Sequence, residues 1–128
     1  VIYLDTSVAL AELFAEDRRP RDALWAEPLV SSRLLEYELW TRVHARGAAR
    51  THGDAVRDLL SRLSLVELAP TVLARALEPF PSPVRTLDAL HLATALFLVD
   101  QRQELALATY DGRMRTCARR LGIALTEP

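Results

Sequence analysis

Apolar positions follow two rhythms along the chain. Val1–Leu4 is an unbroken run of β-formers that stops at Asp5, after which Ser7–Phe14 spaces Leu10, Leu13 and Phe14 along one helical side. A second helix is expected at Arg21–Ala26, a brief strand at Leu29–Ser31, and a long helix at Arg33–Arg46 with Gly47 as its closing C′ residue. Asp54–Leu63 reads as helix, Ser64–Leu68 as a strand ending before Pro70, and Thr71–Leu77 as helix again. Beyond the stiff Pro79–Pro83 loop, Thr86 can cap a strong helix that runs to Val99. A strand at Leu105–Thr109, a helix at Gly112–Leu121 and a last strand at Ile123–Leu125 complete the pattern.

Strands that alternate with helices in this way predict an α/β fold, a parallel sheet of about five strands with helices on both faces. No repeat, low-complexity tract or linker interrupts the pattern, so residues 1–128 read as a single domain. In such sheets the ligand site lies beyond the carboxyl ends of the strands. Asp5 ends the first strand, Asp111 follows the Leu105–Thr109 strand by two residues, and Asp88 falls in the first turn of the helix beginning near Thr86. Singly, each also reads as a helix cap or a dipole partner. Jointly, carboxylates at one sheet edge repel unless a cation compensates them, and hard divalent ions such as Mg²⁺ or Mn²⁺ suit oxygen ligands. Metal-assisted phosphoryl chemistry is the resulting expectation. The Arg33–Arg46 helix adds Glu36 and Glu38, and the helical wheel does not choose between them; Glu38 also reads as an i,i+4 partner of Arg42.

Composition narrows the classes. The 128 residues are 50% hydrophobic, enough for a core, with 16 basic and 17 acidic side chains and a net charge of −1. Every basic residue is Arg, as GC-rich coding would produce by itself, and without Lys there is no P-loop and no Schiff base. A phosphoreceiver fails on the missing Lys. A haloacid-dehalogenase-type phosphatase fails on Lys and on Ser7, where it needs an Asp. The single Cys117 cannot form an internal disulfide and is expected to pack as a small hydrophobe; its isolation suits a reducing, cytoplasmic setting. The longest apolar run, Ala89–Val99, is too short to span a bilayer, so no membrane role is expected.

Leu4-Asp5-Thr6-Ser7, Glu38-Leu39 with Arg42, Leu87-Asp88-Ala89-Leu90-His91-Leu92-Ala93-Thr94-Ala95, and Thr109-Tyr110-Asp111 together resemble the PIN domain, more narrowly the VapC toxins of type II toxin–antitoxin systems. The resemblance spans nearly the whole chain and implies a three-layer PIN-like fold and a ribonuclease dependent on Mg²⁺ or Mn²⁺. It makes Asp5, Glu38, Asp88 and Asp111 the active-site acids, choosing Glu38 over Glu36. Asp5 and Asp88 are then direct metal ligands, Asp111 a further ligand or water-holder, and Glu38 the group that orients the attacking water. Thr6 and Thr109 would orient carboxylates from behind, although Thr6 also reads as a plain helix cap. It further implies an RNA substrate, a VapB-type antitoxin, a homodimer, and promoter DNA reached only through the antitoxin. The alternatives are a housekeeping PIN nuclease and an inactive PIN-like interaction module, and the second is disfavoured because none of the four acids is missing.

The other polar residues carry less. His91 is expected to be structural, since a metal-activated water needs no imidazole, and His44 and His52 to be solvated beside Gly47. Arg113 and Arg115 follow Asp111 and are candidate RNA contacts, within an Arg-rich helix that includes Arg119 and Arg120; Arg18, Arg19 and Arg21 form another basic cluster. Trp25, Trp40, Tyr37 and Tyr110 have rings that stack on bases, but Trp40 and Tyr37 are expected in the core or at a subunit interface. Setting aside the four acids leaves 13 carboxylates against 16 Arg. The near-neutral total averages an acidic pocket and a mildly basic shell.

Overall fold

The computed structural model describes residues 1–128. Five strands, β1 (Ile2–Leu4), β2 (Leu29–Ser32), β3 (Leu63–Val66), β4 (Ala106–Ala108) and β5 (Ala124–Thr126), form one parallel sheet in the order β3-β2-β1-β4-β5. The helices are α1 (Thr6–Phe14), α2 (Arg33–Ala45), α3 (Ala49–Ser61), α4 (Pro70–Ala76), α5 (Thr86–Asp100) and α6 (Gly112–Arg120). The element order is the one expected from the hydrophobic pattern.

Both faces of the sheet are covered, which is why β1 is apolar without alternation. Because successive side chains point to opposite faces, Ile2 and Leu4 join Val8, Leu35, Leu39, Val43, Val56 and Leu59 in one core under α1–α3. Tyr3 joins Val30, Leu92, Leu107, Met114 and Cys117 in the other, under α5 and α6. Leu35, Leu39 and Val43 recur at four-residue spacing and are fully buried, each contributing about 1.5–3 kcal/mol. Gly47 closes α2 with φ +61°, a backbone shape a side chain would strain.

Four local expectations need correction. Asp22–Ala26 is a 3-10 helix, not an α-helix; Pro20 and Pro28 bracket it and leave no room for a second turn. The helix expected from Asp54 begins at Ala49 and passes through Gly53, which is buried against Trp40. That interhelical packing outweighs the ~1 kcal/mol glycine penalty. Thr86 is the first helical residue of α5 and caps nothing, because the cap position belongs to Arg85. His52 is half-buried against the Phe14 ring rather than solvated; of the two places expected for Tyr37, the 68% exposure leaves the subunit interface.

The chain departs from β1 toward β2 on one side and returns through β4 on the other. Strand order therefore reverses between β1 and β4, and a crevice opens there at the carboxyl ends. The Asp5 amide, just past β1, donates to the Ala108 carbonyl at the end of β4 (3.0 Å). This bond seats Asp5 at the switch point.

Candidate active site

Asp5 caps α1 and is only 4% exposed. Three donors converge on its Oδ2: the Ser7 hydroxyl (2.6 Å), the Thr109 hydroxyl (2.7 Å) and the Ser7 amide (3.3 Å). No protein donor engages Oδ1. A carboxylate held on one oxygen by neutral donors leaves its other oxygen free for a cation. Thr109 extends the arrangement by accepting the Asp111 amide (3.0 Å), which ties two acids 106 positions apart to one hydroxyl.

Asp111 caps α6 through Oδ1, which accepts from the Arg113 and Met114 amides (2.9 and 3.0 Å). The capping and the site readings of this residue therefore coexist, one on each oxygen. Asp88 stands in the first turn of α5, where burial, then the charges of Asp111 and Asp5, push its carboxyl above the ordinary carboxylate range. Each of the three carboxylates thus belongs to one crevice. Arg85 reaches across its mouth: Nε donates to Asp88 Oδ2 (3.3 Å) and Nη2 to Asp111 Oδ2 (3.1 Å).

Glu38 turns inward from α2. Its Oε1 accepts from the Thr6 hydroxyl (2.8 Å) and lies 2.6 Å from Nε2 of His91. The expected pair with Arg42 does not form, because these two buried partners hold the carboxylate instead. Glu36 pairs with Arg33 (2.9 Å) on the outer side. His91 is fully buried, with Nδ1 2.8 Å from the Tyr3 hydroxyl. Burial alone lowers the imidazole pKa, but the Glu38 hydrogen bond and the charges of Asp5, Glu38 and Asp88 outweigh it, so the net direction is upward. Burial pushes the Tyr3 phenol up, so it stays protonated and can donate to that nitrogen.

No trio of His, Cys, Asp or Glu side chains closes into a metal cage. Cys117 is buried in the core and both His91 nitrogens are engaged by Tyr3 and Glu38, so a tetrahedral zinc site with nitrogen and sulfur ligands is a poor match. The donor set is all carboxylate, Asp5 and Asp88 each have an oxygen without a protein donor, and burial followed by repulsion from Asp111 and Asp5 raises Asp88. This fits Mg²⁺ or Mn²⁺, which bind through one or two carboxylates and retain several waters.

Two grooves meet beside the acids. One, of about 630 Å³, is lined by Ser7, Arg18, Arg42 and Tyr110. The other shares Leu10 and Arg42 and continues past Thr6, Glu38 and Tyr37. Arg18 lies over the Tyr110 ring, 5.5 Å from its centre. Of the two Arg residues singled out after Asp111, Arg115 is engaged by Glu127 (2.8 Å) and the Thr109 carbonyl (3.4 Å), whereas Arg113 is exposed and its side chain unpaired. Ser7 and Arg85 were not singled out by the sequence pattern. The signals were local: Ser7 stands two residues after a cap, and Arg85 one helical turn before Asp88.

The PIN domain family profile matches residues 2–120. The chain belongs to the PIN domain family. A relative, Ribonuclease VapC46 of Mycobacterium tuberculosis (strain ATCC 25618 / H37Rv), is 39% identical over 132 residues, covering 99% of this chain and 97% of the relative. Ribonuclease VapC35 of M. tuberculosis (strain CDC 1551 / Oshkosh) is 31% identical over 134 residues, covering 100% and 97%. A solved toxin-antitoxin complex from Klebsiella pneumoniae shares the PIN fold at TM-score 0.64, with 22% identity and 87% of each chain covered.

Proposed function

We propose that this PIN domain is the toxin of a type II toxin–antitoxin module, an endoribonuclease that hydrolyses RNA phosphodiester bonds with Mg²⁺ or Mn²⁺. The observation that carries this reading is the convergence of Asp5, Asp88 and Asp111 on the switch-point crevice, with Glu38 held at its side. Relatives matched over nearly their full length are named ribonucleases.

Asp5 and Asp88 are the direct ligands, and Asp111 holds a second ion or a coordinated water. The ion supplies a lowered pKa for a bound water and charge neutralisation at phosphorus. Thr109 and Ser7 fix the Asp5 carboxylate so that its free oxygen needs no reorganisation. Thr6 and His91 hold Glu38 by Oε1, which leaves Oε2 to accept a hydrogen bond from the attacking water. Attack in line at phosphorus breaks the bond to the 3′-oxygen and leaves a 5′-phosphate and a 3′-hydroxyl. Arg42, Arg18 and Arg113 receive the flanking phosphates, and Tyr110 and Tyr37 offer rings to unstacked bases.

On this reading an antitoxin of the VapB type neutralises the toxin, the toxin forms a homodimer, and promoter DNA is reached only through the antitoxin. The toxin–antitoxin neighbour supports the partnership. No helix is long and apolar enough to cross a membrane, and a cytoplasmic setting, where cellular RNA is met, belongs to the same reading. Purified chain should cleave RNA with Mn²⁺ and stop with EDTA. Undiminished cleavage by both Asp5→Asn and Asp88→Asn would sink the assignment.

A further inference from the structure

Arg85 is unlike every other charged contact of the crevice. It occupies the cap position of α5, yet no side chain caps that helix end, and its guanidinium is 70% exposed while the carboxylates it spans are 15% (Asp88) and 20% (Asp111) exposed. Asp88 and Asp111 begin different helices and repel each other. The planar fork matches both at once, with Nε on one Oδ2 and Nη2 on the other. A divalent cation drawn to these carboxylates, even through the free Oδ1 of Asp88, would stand close to this positive charge, so the two compete for the pair. The long, exposed side chain has room to swing outward, whereas the Ser7 and Thr109 hydroxyls that hold Asp5 are packed in place.

We propose that Arg85 is a tethered counter-ion: it holds Asp88 and Asp111 until a divalent cation displaces it, and this exchange sets the metal concentration at which the crevice becomes competent. The inference rests on the metal-dependent reading above. It also explains how an acidic pocket stays assembled without metal.

The test is Mn²⁺ binding to the RNA-free chain, read from the paramagnetic resonance signal of free Mn²⁺. Arg85→Gln should bind Mn²⁺ about three- to tenfold more tightly than the parent. Arg113→Gln removes the same charge close by without touching a carboxylate oxygen, and should gain less than about twofold. Equal gains in both variants would reduce the effect to net charge and overturn the proposal, as would unchanged or weaker binding in Arg85→Gln. A parent chain that binds no Mn²⁺ would overturn the metal reading as well. Thermal melting gives a readout independent of affinity. In EDTA, Arg85→Gln should melt below the parent, and saturating Mn²⁺ should close the gap. A gap that Mn²⁺ leaves unchanged would make Arg85 an ordinary structural tie and overturn the counter-ion role.

Discussion

Asp5 and Glu38 line a wall of the crevice where every donor is buried or half-buried: three hydroxyls, a backbone amide and an imidazole from the core. Asp88 and Asp111 line a second wall, where a single solvent-exposed guanidinium spans both. The acids are of similar chemistry, but their surroundings divide the labour. The first wall is preorganised and costly to disturb, and the second is exchangeable. A hydrolytic site needs both, because a rigid set of ligands must still admit an ion and a substrate.

The contrast breaks first at Asp5. Asp5→Asn preserves the shape and the capping oxygen but removes the charge, and RNA cleavage with Mn²⁺ should fall roughly a thousandfold. Thr109→Val tests whether the buried wall depends on its hydroxyls. It leaves Asp5 Oδ2 one donor short, and Mn²⁺ affinity or cleavage should fall about 10- to 100-fold, with stability lower by about 1–3 kcal/mol on urea titration. Intact metal affinity there would mean that Asp5 does not need preorganising.

His91 gives the buried wall a pH signature. Its folded pKa lies above the ordinary 6.5, so its contribution to stability is complete below that value and is lost as pH rises through the folded pKa. Melting of the metal-free chain should decline on the alkaline side of 6.5, and His91→Asn should flatten that decline. A parent curve that climbs there would reverse the assignment. The smallest stability change belongs to the exposed wall. Asp111→Asn keeps a capping oxygen for the Arg113 and Met114 amides, so stability should stay within about 0.5 kcal/mol of the parent while cleavage falls. A large loss of stability would mean that the charge itself holds α6.

Asp5 and Asp111 were legible because strand ends in a parallel sheet are where ligands collect, and both sit at the end of an apolar run. Glu38 was not separable from Glu36 by periodicity. A helical wheel gives direction, but the partners that decide, Thr6 and His91, come from 32 and 53 positions away. The start of α3 was missed because Gly53 reads as a breaker until Trp40 is seen packed on it. Half of Arg85 was visible: the i,i+3 relation to Asp88 is local, but the reach to Asp111 spans 26 positions. Local chemistry was readable, and its closure across the sheet was not.

The strand order has a consequence for synthesis. β1, the first of the five strands in chain order, is the middle strand of the sheet, and its neighbour β4 is completed only at Ala108. Until then the first strand has an empty edge, and Asp5 lacks both its Ala108 backbone partner and Thr109. Domains generally fold as units from the amino end, but this one cannot close its centre early. A nascent or prematurely ended chain that stops short of residue 108 carries Asp5 and Asp88 without Asp111, and without the strand that seats Asp5. On this topology the crevice gains its last carboxylate, Asp111, only after β4 has been made.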